Sequence, residues 1–351
     1  DTMRIAQIAP LYEAVPPMLY GGTERVVSYL TEELVSMGHD VTLFASGDSV
    51  TRAKLAPVWP RALRLDPSIR DSVGPHMLMM EQVLQRAADF DVLHFHMDYW
   101  SASLFSRQPV PFVTTLHGRL DLAELNAVYA GLPPMNLISI SESQRAPLVE
   151  GNFIATVLHG LPDTLLRPLP VATDYVAFLG RICPEKRPDR AIRIARAAGV
   201  RLKLAAKVDR ADEEYFANQI KPMLGPDAEL IGEIDERAKP GFLSGAKALL
   251  MPIDWPEPFG LVMIEAMACG TPVIAYDHGA VPEIVEDGVT GFIVDDEAAA
   301  ADALRRIGTL DRARIRAEFQ RRFTARRMAE DYVSVYERLQ RPHAEGLRLV
   351  V

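Results

Sequence analysis

Hydrophobic and polar positions along the chain spell the same grammar twice. In the first half Arg4-Ile5-Ala6-Gln7-Ile8-Ala9 reads as a buried strand, and Glu24–Met37 carries apolar residues at helical spacing. Gly38 stops that helix, and Asp40–Ala45 returns as a strand, which makes a βαβ unit. Strands are also predicted over Val92–His96, Phe112–Leu116 and Leu137–Ile140, with a helix over His76–Ala88 between them. After Gly160-Leu161-Pro162 the segment 167–173, holding Pro168 and Pro170, reads as a linker. The grammar then restarts with strands Tyr175–Leu179, Leu202–Ala206, Ala228–Ile231, Ala248–Pro252, Val273–Tyr276 and Gly291–Val294. Helices Asp189–Ala198, Glu213–Met223, Lys239–Ala246 and Leu261–Cys269 fall between them, and a last helix is predicted over Asp311–Leu339. Alternating strands and helices predict α/β architecture, with parallel sheets covered on both faces.

A length of 351 residues exceeds what one core usually supports, so two doubly wound domains are expected, 1–166 and 167–325. A net charge of -9 argues against binding nucleic acid through phosphate neutralisation. No apolar run reaches the length of a bilayer span, and no signal peptide pattern precedes Met3. Cys183 and Cys269 stand far apart, which gives neither a disulfide framework nor metal-ligand spacing. A cytoplasmic setting is expected.

Candidate chemistry concentrates between Pro256 and Val273. Glu257 sits in a loop, Phe259-Gly260 precedes the predicted helix, Glu265 lies in its second turn, and Gly270-Thr271-Pro272 ends it. Backbone N–H groups of Phe259, Gly260, Leu261 and Val262 at the helix start suit an anion, above all a diphosphate. Eight residues at helical rise set the two carboxylates about 10 Å apart. That exceeds the spacing of a glycosidase pair, so they suit opposite ends of one long ligand, sugar at one and ribose at the other. Either glutamate alone fits an ordinary solvated surface.

With its two glutamates separated by seven residues, this stretch resembles the signature of the family 4 glycosyltransferases, which have the GT-B fold. The resemblance implies two Rossmann-like domains facing across a cleft, acceptor first and donor second, with a C-terminal helix at about 326–340 packing back on the first. Gly180-Arg181, followed by Glu185-Lys186, is similar to the family's Gly-Arg and Glu-Lys-Gly, with Arg187 where the last glycine is usual. Arg181 and Lys186 would then neutralise charge on the departing diphosphate. Gly232-Glu233-Ile234 occupies the family's nucleobase loop, so Gly232 and Ile234 join the expected donor site. Tyr20-Gly21-Gly22-Thr23 resembles its glycine loop, placing Gly22 near the donor phosphates and Thr23 on the acceptor side.

His117, at the end of the strand Phe112–Leu116, would alone fit a structural hydrogen bonder; its family counterpart stands beside the donor sugar. His94 and His96 share a strand face, but without further ligands they fit a polar strand end better than a metal site. His96, Tyr99 and Arg119 are expected on the acceptor side, with Arg119-Leu120-Asp121 opening a helix. Asp295-Asp296 reads as an edge turn, and Ser141 as a helix cap. The arginine-rich Asp311–Leu339 segment carries interspersed acids, which favours a solvated face over peripheral membrane contact. The resemblance implies a retaining, metal-independent, cofactor-free hexosyltransferase. Its expected donor is a nucleoside diphosphate sugar, UDP-glucose first, and its acceptor a hydroxyl compound. A nucleotide-sugar epimerase and a non-catalytic sugar-nucleotide-binding subunit remain the rival readings.

Overall fold

A computed structural model describes residues 1–171 and 173–346; Ala172, within the predicted linker, lies outside the described residues. The chain divides into two compact units, one built from residues 1–160 and the segment from Ala325 onward, the other from residues 161–324.

Seven strands form the sheet of the first unit: β1 (Arg4–Ile8), β2 (Asp40–Ser46), β3 (Lys54–Trp59), β4 (Val92–Phe95), β5 (Phe112–Thr115), β6 (Asn136–Ser139) and β7 (Phe153–Thr156). Their order is β3-β2-β1-β4-β5-β6-β7, and every pairing is parallel. Ile5 faces Val41 on one side and Val92 on the other, so β1 is interior and its apolar run is buried on both faces. The helix Val73–Arg86 packs Met79, Met80 and Val83 with Ile8, Phe44 and Phe95. Val27, from the helix Gly22–Ser36, packs with Ala9, Leu43 and Ala45 in a separate cluster.

In the second unit β8 (Tyr175–Arg181), β9 (Arg201–Lys207), β10 (Ala228–Leu230), β11 (Ala246–Met251), β12 (Val273–Tyr276) and β13 (Gly291–Val294) form a parallel sheet in the order β10-β9-β8-β11-β12-β13. Val176, Phe178, Leu204, Leu250 and Ile274 fill one core with Ile192 and Ile194 of the helix Pro188–Ala197. In each sheet the chain winds outward from an inner strand and then crosses to its other side. The switch points, where such sheets receive ligands at their carboxyl ends, therefore fall between β1 and β4 and between β8 and β11.

Several local expectations are corrected. β3 and β7 went unread because neither buries a full apolar face: β3 carries Pro57 and is largely half-exposed, and β7 is half-buried throughout. The helix expected over 213–223 is instead a single turn, a π turn over Phe216–Ile220 and a 3-10 turn over Lys221–Met223, because Pro222 cannot donate within a regular helix. The last predicted helix is two, Arg312–Arg322 and Ala325–Gly346. Between them the Phe323 carbonyl accepts from Leu161 N at 2.9 Å, and Thr324 bridges Leu161.

The arginines of those helices are largely consumed by protein partners. Arg312 donates to the carbonyls of Ala246 and Ser244, and Arg316 to those of Leu166 and Ala268. Arg314 and Arg321 pair with Glu318, and Arg326 with Glu330. Among the described residues no helix is long and apolar enough to cross a membrane.

Packing between β12 and β13 leaves no room at Gly291, where a Cβ would lie 1.9 Å from the Val273 carbonyl oxygen. Gly291→Ala should therefore lower the chemical-denaturation midpoint by an amount worth about 2 kcal/mol. Gly308→Ala, which meets nothing within 4 Å, should leave that midpoint in place.

Candidate active site

At the switch point of the second unit two loops leave neighbouring strands and are tied together. β8 continues through Gly180, at φ 152°, to Arg181, so both residues close the strand instead of opening the following loop. A 3-10 turn, Pro184–Lys186, follows and ends on Arg187 at φ 53°. This left-handed position favours glycine, the residue the motif led one to expect there. Arg187 is held in place by Asp189, at 3.0 and 3.1 Å, and by Asp254 at 3.3 Å. Two carboxylates therefore face its guanidinium. From the other loop Asp254 N donates to the Glu185 carbonyl at 2.9 Å.

These ties bring Lys186 Nζ to 2.7 Å from Glu257 Oε2, and 5.3 Å from the Trp255 ring. Both partners are mostly shielded, with side-chain exposures of 24% and 11%, so removing either would leave a poorly solvated charge behind. Arg181 stands at longer range from its acids, 3.7 Å from Asp209 and 4.0 Å from Asp212.

The loop carrying Glu257 rests on a residue the sequence reading missed. Gly279, at φ 57°, passes so close that a Cβ would lie 2.3 Å from Glu257 N and 2.4 Å from its carbonyl oxygen. Ala280 N donates to that same carbonyl at 2.9 Å. The only signal was a glycine three residues beyond β12. Past Glu257, Gly260 takes a left-handed conformation (φ 92°) and the helix runs Leu261–Ala268. Leu261 and Val262 supply its first N–H groups, while Met263 N already bonds the Gly260 carbonyl at 3.0 Å. Phe259 is buried beneath this start. The end of the helix is as expected: Gly270 is left-handed, its N–H reaches Met267 O and that of Thr271 reaches Ala266 O, both at 2.9 Å.

Glu265 points to a second missed residue. Lys239 Nζ lies 2.7 Å from Glu265 Oε2 and 2.7 Å from Glu236 Oε1. Burial works to lower the Lys239 pKa, but the carboxylates of Glu265 and Glu236 prevail and hold it above the usual value. Lys239 was read only as a helix start, since contacts across 26 residues leave no local signature. Gly232, at φ 84°, follows β10 and fixes its carbonyl to Ala206 N at 3.0 Å, with Ile234 half-buried beyond it.

In the first unit Gly22 opens the helix Gly22–Ser36 as expected, with Thr23 half-buried in its first turn. His96 and His117, from the ends of β4 and β5, are brought together at 3.0 Å. His96 is buried and its pKa is driven well below the usual histidine value by desolvation. His117 keeps part of its ring open, yet crowding by protein lowers its pKa to about 4. It also stacks on His159 with centroids 5.6 Å apart. Tyr99 is exposed and packs edge-on against Tyr129 at 6.1 Å.

Arg119 does not open a helix. The next helix is Leu125–Gly131, and Arg119 clasps Asp121 through two bonds of 2.7 and 3.0 Å. Ser141 caps as read, accepting from Gln144 N at 3.0 Å. Asp296 is a cap and not a mere edge turn, since its Oδ1 accepts from Ala299 N at 2.7 Å. Among the described residues no group of three or more His, Cys, Asp or Glu side chains is placed to hold a metal ion.

Two parallel Rossmann-type sheets, with paired cations and carboxylates at a strand-end switch point, define a GT-B glycosyltransferase. Residues 168–324 match the glycosyl transferases group 1 family, and residues 20–146 match Glycosyltransferase Family 4. A phosphatidyl-myo-inositol mannosyltransferase of Mycolicibacterium smegmatis is 27% identical, over 97% of this chain and 93% of that one. A D-inositol 3-phosphate glycosyltransferase of Mycolicibacterium paratuberculosis is 39% identical, over 61% of this chain and 58% of that one. Among solved structures, a glycosyltransferase involved in avilamycin A biosynthesis superposes with a TM-score of 0.76 at 28% identity, covering 96% of this chain and 98% of that chain. The chain belongs to the family 4 glycosyltransferases, which use a nucleotide-sugar donor and a hydroxyl acceptor.

Gly279→Ala should displace the Glu257 loop and lower turnover by about a hundredfold or more, with far-ultraviolet circular dichroism unchanged. Lys239→Met should weaken nucleotide affinity by about tenfold in calorimetry, because Glu265 loses the cation that orients it.

Proposed function

We propose that the protein is a retaining, metal-independent transferase that moves a hexose from a nucleoside diphosphate sugar to a hydroxyl acceptor. The observation that carries this reading is the 2.7 Å Lys186–Glu257 pair beside the Leu261–Ala268 helix start, at the β8/β11 switch point. Such a site offers donors for a diphosphate and, next to them, a carboxylate for sugar hydroxyls. In this reading Lys186, Arg181, Gly180 and the amides of Leu261 and Val262 take the diphosphate. Glu257 holds the hexose, and Glu265 with the Gly232–Ile234 segment takes the nucleoside. His117 acts at the sugar, while Thr23, His96, Tyr99 and Arg119 shape the acceptor side.

The proposed chemistry is a front-face substitution. The bond from the anomeric carbon to the diphosphate oxygen breaks, the acceptor oxygen bonds to that carbon on the same face, and its proton passes to the departing phosphate oxygen. Lys186 and Arg181 stabilise the charge that collects there. Glu257 is committed to Lys186 and to sugar hydroxyls, which supports this route over a covalent intermediate on that carboxylate.

UDP-glucose is the donor the sequence reading favours. The names of the mycobacterial relatives support a second reading, mannose transfer to an inositol-bearing acceptor. A cytoplasmic location belongs to the same proposal.

Hydrolysis of UDP-, GDP- and ADP-linked glucose and mannose, followed with and without inositol phosphate, decides among these. Transfer that retains configuration supports the proposal. Sugar conversion without any acceptor would reveal an epimerase, and tight donor binding with neither hydrolysis nor transfer would leave a binding subunit. Glu265→Ala should weaken nucleotide binding, and Lys186→Ala should chiefly lower kcat, by about a hundredfold; undiminished activity in both would overturn the site.

A further inference from the structure

A buried chain of polar side chains runs from the C-terminal helix to His117. Gln7 Nε2 donates to Tyr336 Oη at 2.8 Å, and that hydroxyl lies 2.6 Å from His94 Nδ1. Gln7 Oε1 lies 2.7 Å from His96 Nε2, and His96 Nδ1 lies 3.0 Å from His117 Nε2. On the far side of His94, Nε2 lies 2.7 Å from Thr115 Oγ1, which lies 3.1 Å from Tyr332 Oη. Gln7, His94, Thr115, Tyr332 and Tyr336 are at most 1% exposed, and His96 is 3% exposed. With no solvent to complete their bonding, the hydrogens must be shared out among these groups.

With the Gln7 amide oriented so that Oε1 meets His96, counting donors fixes the sharing. An amide oxygen only accepts, so the hydrogen in the contact between Gln7 Oε1 and His96 Nε2 belongs to the imidazole. A neutral imidazole carries one N–H, which leaves His96 Nδ1 bare and accepting. The hydrogen in the 3.0 Å contact must therefore come from His117 Nε2. His117 in turn has a bare Nδ1. The other branch agrees: Tyr336 Oη, having accepted from Gln7, donates to His94 Nδ1, and His94 keeps its hydrogen on Nε2 for Thr115. Desolvation keeps these rings neutral, as their lowered pKa values require. Turning the Gln7 amide over would reverse every bond in the chain and make His117 a donor at Nδ1, so one side chain decides between two discrete states.

We propose that Gln7, Tyr336 and His96 are positioning residues that lock His117 as the Nε2–H tautomer, so that His117 meets its ligand as a hydrogen-bond acceptor at Nδ1. Selectivity follows from this, and it rests on the reading that His117 acts at the donor sugar. The sugar must present a hydroxyl that points its hydrogen at the ring. A donor sugar with hydrogen or fluorine in place of that hydroxyl forfeits the bond, and His117 does not serve as a general acid.

The test is long-range proton–nitrogen correlation spectroscopy at pH 7 on the full chain labelled with 15N-histidine, with signals assigned by loss in His117→Gln and His96→Gln. Both rings should show a bare Nδ1 and a protonated Nε2 without any substrate present. Gln7→Leu and Tyr336→Phe, the second keeping the aromatic ring in its place, should mix the two tautomers of His117 and lower kcat about fivefold with little change in nucleotide KM. A wild-type His117 protonated at Nδ1, or an unmixed Nε2–H form in both variants, would overturn the lock. Because the spectrum needs no substrate, that failure is separate from failure of the transferase reading. A confirmed tautomer with wild-type kcat in both variants would instead overturn the role of His117 at the sugar.

Discussion

The close passage of Gly279 beneath the Glu257 loop is the constraint on which the chemistry of the second unit depends. Glu257 N and O lie within 2.4 Å of where any Cβ on residue 279 would be, so the loop and the turn after β12 share one backbone layer. With its main chain pinned, Glu257 presents its carboxylate to Lys186 from a fixed height. Lys186 is set by the Pro184–Lys186 turn, which the Asp254 amide ties to the same loop through Glu185. Three strand ends thus fix one ion pair. A carboxylate whose backbone is pinned and whose oxygen is paired needs little reorganisation when a ligand arrives, which is what preorganised electrostatics requires.

Much of this was legible in the sequence. Interior strands such as β8 and β12 have near-continuous apolar runs, β1 is broken only by Gln7, and the glycine-terminated helix Leu261–Ala268 ends where the order of Gly270, Thr271 and Pro272 says it should. The two edges of the first sheet were harder to see. β3 and β7 bury too little for a period to show, and the helix expected at 213–223 failed because Pro222 acts on the turn before it. In the site, residues whose type alone suggests chemistry were found, while those that act through position were not. Gly279 matters for the side chain it lacks. Lys239 matters through two carboxylates, one three residues away and the other 26.

The two units handle charge and burial differently. In the second, cations and carboxylates are paired at a partly open strand end, where removing one partner strands the other. In the first, the polar groups behind His117 are neutral and fully bonded to one another, so burial costs little as long as every donor finds its acceptor. Neither arrangement tolerates partial loss. A half-satisfied network is the costly state in both.

The helix Ala325–Gly346 supplies Tyr332 and Tyr336 to the first unit although some 160 residues of the second unit lie between them and β7. A chain emerging from the ribosome therefore releases His94, Gln7 and Thr115 long before the hydroxyls that complete their bonding exist. Until Tyr332 and Tyr336 arrive, the first lobe keeps an open seam of imidazole and amide groups that water must cover. Assembly of the nascent first lobe thus waits on this late helix, and a message truncated upstream of it yields a lobe with that seam unsealed.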